Sequence, residues 1–252
     1  KTWTIYLKLF LISILLSTNA YAKNCESKSL VESVLKQAKI DSTEGDLMDC
    51  KLDPQNDSKV IMAYAKWLPD SEDEYSGHYV LNLLQFNQLN QRLIDQFQVV
   101  EPLISDAVHL NSIQLDTANY KFTNTNRALG LRLDYSLNSS VNPFSMTLLN
   151  LYDLKKKRQI LHNLIVERNR AEMDRQCNAE LEERTSVLVM QKLQSNQAFD
   201  ILLKSRIEQS VFHGTRDNCK ELKQPTSLQN FMLKFDGQQY QIPKRLKEEY
   251  QY

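Results

Sequence analysis

Glycine is scarce in this chain of 252 residues, which has five glycines, six prolines, four cysteines and two tryptophans. So few glycines leave little material for the glycine-rich loops that hold phosphate groups. The consensus sequences of serine hydrolases (G-x-S-x-G), zinc proteases (H-E-x-x-H) and P-loop NTPases are also missing. The sequence therefore contains no motif that assigns a catalytic activity.

Neither sign of charge is in excess. The chain has 31 lysines and arginines against 31 aspartates and glutamates, so its formal net charge at pH 7 is zero. Binding to nucleic acid or to an anionic membrane surface usually relies on a basic surface. We therefore expect no nucleic-acid partner and no electrostatic membrane binding.

Long apolar runs are confined to the start of the chain. Residues 1–8 contain two lysines, residues 9–16 are almost entirely apolar, and Ala20-Tyr21-Ala22 ends the segment with small residues. These are the three parts of a secretory signal peptide, and the run is shorter than the ~20 residues of a membrane-spanning helix. We predict a signal peptide over residues 1–22, a periplasmic or secreted protein, and no stable membrane anchor. An uncleaved anchor is the alternative.

All four cysteines, Cys25, Cys50, Cys177 and Cys219, follow the predicted signal peptide. An even number of cysteines in an exported chain predicts disulfides, because that compartment is oxidising. Of the three possible pairings we favour Cys25–Cys50 with Cys177–Cys219, since each pair brackets a local unit. A metal site is the alternative, but there is no Cys-x-x-Cys and no histidine at ligand spacing from a cysteine. We expect neither a metal nor a cofactor.

The residues after the signal peptide predict one short helix. Ser29-x-x-Glu32 resembles a capping box, and Gly45 and residues 52–57 are typical of a linker. The apolar residues that recur at helical spacing are Leu30, Val31, Val34, Leu35 and Ala38. A Cys25–Cys50 disulfide would close residues 23–57 into a helical hairpin.

From residue 58 onward the apolar residues alternate with a period of two, which predicts strands. Asp236-Gly237 between alternating apolar residues predicts a hairpin with a type I′ turn. A strand–turn–strand pattern at residues 84–94 recurs at 151–161. We therefore predict a mainly β fold. It consists of a short N-terminal helix and one antiparallel domain over residues 58–252, with its hairpins in a propeller-like or sandwich arrangement.

Two C-terminal segments, residues 196–203 and 231–240, resemble the ends of uncharacterised exported bacterial β-rich proteins with FG-GAP-like hairpins. Residues 115–133 are similar to the middle of the same group, so the resemblance covers about half of the chain. It implies a β-rich fold and export, but no activity. The calcium-binding aspartate-rich loop of true FG-GAP blades is missing, so no metal site is implied.

The candidate recognition residues are scattered along the chain. Residues 70–74 form an acidic run that would either bind a cation or keep a strand edge soluble. The four histidines are far apart in sequence. The residues that we single out for recognition are Tyr75, His78, Phe144, His213 and Arg216; for each, an ordinary place in a loop or strand is the alternative.

These patterns favour a non-catalytic periplasmic protein that binds another protein or an envelope component, in the manner of an inhibitor or immunity protein. The second hypothesis is an envelope hydrolase in which Asp116, a histidine and a serine or glutamate are brought together by the fold. The third is a structural envelope protein with no small partner.

Overall fold

A computed structural model describes residues 27–70, 76–174, 177–215 and 217–248. Within these ranges the chain forms fourteen strands and two short helices, and the mainly β class is confirmed. The elements are α1 (Lys28–Ala38), β1 (Leu47–Asp53), β2 (Asn56–Pro69), β3 (Gly77–Asn87), β4 (Leu93–Gln98), β5 (Leu103–Ser105), β6 (His109–Lys121), β7 (Arg127–Leu137), β8 (Phe144–Asp153), β9 (Arg158–Met173), β10 (Ala179–Ser195), β11 (Ala198–Thr215), β12 (Asn218–Lys223), β13 (Ser227–Phe235), β14 (Tyr240–Gln241) and α2 (Lys244–Glu248).

The strands form two antiparallel sheets. The first sheet has the order β1-β2-β3-β4, with β5 also paired to β3. The second has the order β14-β13-β11-β10-β9-β8-β7-β6, with β12 also paired to β11. Neighbours in sequence are mostly neighbours in a sheet, which follows from the short hairpin connections. Among the described residues, neither helix combines the length and hydrophobicity needed to cross a membrane.

Helix α1 packs on the outer face of the first sheet. Ser27 caps its N-terminus by accepting a hydrogen bond from the Leu30 N–H, so the cap lies two residues before the predicted Ser29. The helix ends at Lys39 in the left-handed conformation. Its buried residues Val34 and Leu35 pack against apolar side chains of β2 and β3.

In the segment predicted as a helical hairpin, residues 23–57, the structure describes residues 27–57, and these contain one helix. Residues 47–53 form strand β1, which pairs with β2 in register from Leu47 opposite Ala65 to Leu52 opposite Val60. Of the predicted linker over residues 52–57, only Pro54 and Gln55 connect the strands; the other residues are the end of β1 and the start of β2. Residues 47–53 and the start of β2 are thus part of the first sheet.

Besides the hydrophobic cluster beneath α1, two hydrophobic cores order the strands into layers. The first core lies between the two sheets and contains Leu81 and Leu83 of β3 and Leu131 and Leu133 of β7. The second core lies inside the second sheet, which folds back on itself so that β8 and β9 pack against β11, β13 and α2. Because alternate residues of β8 enter different cores, that strand is buried on both faces.

Beyond these cores the second sheet extends as a single layer, which we call the arm: residues 169–173, 179–183, 208–215 and 218–223 of β9 to β12. None of these described residues belongs to a hydrophobic cluster. The short strand β12, which the sequence does not predict, completes its edge. Gly214 permits the β11–β12 turn, since its φ is +131° and a Cβ there would lie 2.1 Å from the Asn218 carbonyl oxygen.

The C-terminal hairpin is confirmed, but its predicted type I′ turn is wrong. Phe235 pairs with Tyr240, so four residues connect the strands, and of Asp236 and Gly237 only Gly237 has a positive φ. The Asp236 carboxylate accepts hydrogen bonds from the N–H groups of Gln238 and Gln239. This side-chain cap stabilises the longer turn.

Candidate functional site

One face of the second sheet points away from both cores. We call it the outward face; it consists of alternate residues of β10, β11 and β13. The neighbouring residues of the same strands, such as Ile201, Leu203 and Leu233, are buried in the second core. From the strand register, its rows are Val189–Leu202–Met232, Val187–Lys204–Asn230 and Thr185–Arg206–Leu228.

Apolar side chains on the outward face are open to solvent. Leu228 is 76% exposed, Val187 61% and Val189 38%. They alternate with the exposed side chains of Lys204 and Arg206 in adjacent rows. Val187 and Val189 lie on β10, whereas Leu228 lies across β11 from them, beyond Lys204 and Arg206. A surface that mixes exposed apolar and charged side chains in this way resembles the composition of protein interfaces.

A groove of about 570 Å³ adjoins the outward face at the base of the arm. Its volume lies in the range of ligand-binding clefts. The residues that line it include Glu183, Glu208 and Glu221. The Glu208 carboxylate accepts hydrogen bonds from Arg206 at 2.6 and 2.8 Å, and the Glu221 carboxylate accepts one from the Ser210 hydroxyl at 2.8 Å. The apolar lining residues are Leu137, Pro143, Phe144, Ala171 and Leu181. Glu182, Arg170 and Lys223 also line it, so the groove combines apolar walls with side chains of both charges.

An ion-pair network holds the other face of the same strands. The Glu182 carboxylate accepts hydrogen bonds from Arg168 at 2.5 Å, Arg170 at 3.2 Å and Gln209 at 3.0 Å. Burial by itself would raise the pKa of Glu182, but the hydrogen bonds from Arg168 and Gln209 and the two guanidinium charges outweigh burial, so the pKa is lowered. The network joins β9, β10 and β11 where the arm leaves the cores.

We expect Glu182→Gln to make folding less stable at neutral pH by about 1–3 kcal/mol, because it weakens charge-assisted hydrogen bonds and leaves Arg168 without its carboxylate. A carboxylate whose pKa is lower in the folded state than in the unfolded state stabilises the fold when the pH is above the unfolded-state pKa. This stabilisation is lost as the pH falls through the folded-state pKa. The difference in free energy of unfolding between the variant and wild type should therefore shrink as the pH falls below 4.5, the ordinary pKa of a glutamate. Urea unfolding at a series of pH values measures this difference.

Glu183→Gln is the matched control, since Glu183 lies next in sequence but on the exposed side of β10. We expect it to change the free energy of unfolding by less than about 0.5 kcal/mol. Equal effects of the two substitutions, or a Glu182→Gln difference that does not depend on pH, would contradict the role of the network.

The structure brings one of the predicted recognition residues to the groove. Phe144 is the first residue of β8 and lines it. His213 lies exposed near the end of β11, opposite Lys220, and His78 lies on β3 of the other sheet, opposite Leu68 and Ile104. Neither histidine lines the groove. Tyr75, Arg216 and residues 71–74 of the acidic run lie outside the described residues.

The cysteines follow the predicted pattern as far as the structure describes them. Cys177 and Cys219 form a disulfide with a Cα–Cα distance of 5.6 Å. Cys50 is disulfide-bonded as well, and its predicted partner Cys25 lies outside the described residues, as does the predicted signal peptide. Among the described residues, no group of three or more histidine, cysteine, aspartate or glutamate side chains is placed to hold a metal ion.

Asp116, the residue named for a hydrolase, is held in an ion pair. Its carboxylate accepts hydrogen bonds from the Tyr120 hydroxyl at 2.7 Å, the Arg132 Nε at 2.9 Å and the Ala118 N–H at 2.9 Å. Burial favours a raised pKa, but these hydrogen bonds and the Arg132 charge lower the pKa of Asp116. It lines a second pocket of about 180 Å³, and no histidine is among the described residues around that pocket.

The fold and these surfaces define a mainly β protein with two antiparallel sheets, an arm and an open sheet face. Comparison of the chain with family models, curated proteins and solved structures finds no match. The resemblance to exported proteins with FG-GAP-like hairpins therefore stays a prediction.

Sequence reasoning missed the outward face. Val187-Leu188-Val189-Met190 is a continuous apolar run, and such a run predicts a strand buried on both sides. The structure packs Leu188 and Met190 against the second core and leaves Val187 and Val189 outside. The charged residues Lys204 and Arg206 on β11 were a usable signal. They alternate with the buried residues Leu203, Ser205 and Ile207 and so mark an open face.

Proposed function

We propose that this protein is exported to the periplasm or beyond and acts by binding another protein, in the manner of an inhibitor or immunity protein. The observation that carries the proposal is the outward face, where Val187, Val189 and Leu228 are exposed in adjacent rows of a sheet already backed by a core. Such a preformed face binds without ordering itself first, which favours affinity. The disulfides and the predicted signal peptide support export.

The groove supports a partner surface with a protruding apolar and basic element. Its apolar walls around Phe144 and Leu181 would take the apolar part, and Glu183 would take the positive charge. Opposite charges of this kind set orientation and association rate more than affinity. The outward face would then supply most of the buried apolar contact.

Affinity capture from envelope extracts with crosslinking and mass spectrometry tests the proposal. We compare the wild type with Lys204→Glu/Leu228→Asp, which alters two exposed residues of the outward face. Recovery of a stoichiometric partner should fall about tenfold or more, since exposed interface residues that anchor binding contribute at least about 2 kcal/mol.

The control is Leu89→Asp/Lys156→Glu, which makes the same chemical changes at exposed turn residues away from that face. It should capture the partner like the wild type. Equal capture by all three proteins, each with an unchanged melting temperature, would contradict binding through the outward face.

A further inference from the structure

The edge of β10 is open over half of its length. β10 pairs with β9 from Ala179 to Thr185, where Thr185 lies opposite Glu167. Beyond that point β9 leaves to pack over the second core, and the described residues pair β10 only with β11. Residues 186–190 therefore present one row of backbone N–H and C=O groups that no described strand takes up.

This edge lacks the features that normally keep an edge strand from pairing. Residues 185–191 read Thr-Ser-Val-Leu-Val-Met-Gln, with no charge and no proline. On the inner side Leu188 and Met190 are only partly buried at the rim of the second core. An added strand would satisfy the backbone groups and also cover these two side chains.

We propose that the partner strand is β10 of a second copy of this chain, paired antiparallel about a two-fold axis at Leu188. The open stretch is bounded by the β9 pairing at Thr185 and by the bulge that begins after Met190, so it is centred on Leu188. In a two-fold symmetric pair, residues 186–190 of one copy lie against residues 186–190 of the other. The bulge after Met190 bends each strand away from its partner at the end of this segment.

The register of this pair is self-complementary. Val187 lies opposite Val189 of the second copy, and Ser186 lies opposite Met190. No charged residues meet within residues 185–191, and cross-strand pairs of β-branched residues are favourable. An unrelated strand would need to be uncharged over the same length, whereas the chain itself provides such a strand. The inference does not depend on the proposed function.

Sedimentation of the purified protein from about 1 µM to about 1 mM tests the pair, since small interfaces dissociate in this range. We expect a monomer–dimer equilibrium for the wild type. In Val187→Glu/Val189→Glu, the glutamate at position 187 lies opposite the glutamate at position 189 of the other copy, which gives two like-charge pairs, so this variant should be monomeric over most of the concentration range. In Val187→Glu/Val189→Lys the same positions form two opposite-charge pairs, so this variant should dimerise about tenfold more tightly than the variant with two glutamates.

Both variants change exposed side chains, and equal melting temperatures confirm that each is folded. A monomeric wild type at all concentrations overturns the proposal. So does equal dimerisation of the two charged variants, because the register would then be wrong. Lys204→Glu/Leu228→Asp should remain a dimer, so failure of partner capture and failure of self-pairing are distinguished.

Discussion

Replacing Asp46 with alanine is expected to lower the free energy of unfolding by about 3 kcal/mol, a large effect for one side chain next to a turn. Its carboxylate accepts hydrogen bonds from the Thr43 N–H and the Trp67 N–H, both at 2.7 Å, and from the Thr43 hydroxyl at 2.9 Å. The Tyr64 hydroxyl also donates to it. One side chain thus ties the α1–β1 connection to the middle of β2.

The effect is large because two of the four hydrogen bonds of Asp46, those from the Tyr64 hydroxyl and the Trp67 N–H, are partly buried, whereas Thr43 is exposed. Tyr64 is 3% exposed, and burial, the hydrogen bond to Asp46 and the negative charge of Asp46 together raise the pKa of Tyr64. Without the carboxylate, the hydroxyl and the Trp67 N–H have no acceptor in the described structure, and an unsatisfied buried donor destabilises by about 1–3 kcal/mol.

Urea unfolding measures the loss, with Asp41→Ala as the control because Asp41 is an exposed acid in the same connection. Tyr64→Phe should have a smaller effect than Asp46→Ala, since it removes only one of the four hydrogen bonds. If Asp46→Ala were as stable as Asp41→Ala, Asp46 would not hold the connection in place.

Removing the Cys177–Cys219 disulfide is expected to unfold the arm while the two cores stay folded. The bond joins the β9–β10 connection to β12 and so crosses β11, and the two cysteines are 42 positions apart in the sequence. In the chain-entropy model, a loop of this length corresponds to about 4 kcal/mol of stabilisation. The arm has no hydrophobic cluster of its own among the described residues to replace it.

Hydrogen exchange on Cys177→Ser/Cys219→Ser measures this effect strand by strand. Amides of residues 208–215 and 218–223 should lose protection, whereas those of β2 and β3 in the first core should keep it. Cys177→Ala/Cys219→Ala serves as a second variant, because Cys177 is buried and serine would add a buried hydroxyl there. If the amides of the arm stay protected from exchange in both variants, strand pairing alone is enough to keep the arm folded, and the prediction is wrong.

Local sequence patterns predicted the regular parts of this fold. Leu129, Leu131, Leu133 and Tyr135 alternate along β7 and all are buried, since a strand with one face on a core repeats every two residues. The pairing of Cys177 with Cys219 followed from the same local reasoning. Strands β1, β5 and β12 were missed. Strand β1 lies in the segment predicted as a helical hairpin, β5 has only three residues, and β12 is exposed throughout and so shows no alternation of burial.

The candidate site was less predictable than the fold. Phe144 was singled out and lines the groove, but Glu182 was not among the candidate residues. Its partners Arg168 and Gln209 are 14 and 27 residues away, and only the strand register brings them together. Asp46 escaped notice for the same reason, since its main partners lie 18 and 21 residues along the chain.

The sequence by itself determined the class of the fold, the short helix, most of the strands and the pairing of Cys177 with Cys219, because each depends on periodicity or spacing within a few tens of residues. Only the tertiary structure decided which face of each apolar strand is buried. In Val187-Leu188-Val189-Met190 every residue is apolar, so the pattern cannot distinguish the faces. The second sheet folds back over Leu188 and Met190 and leaves Val187 and Val189 on the surface, because a strand that pairs on one edge and packs on one side has its other side open to solvent.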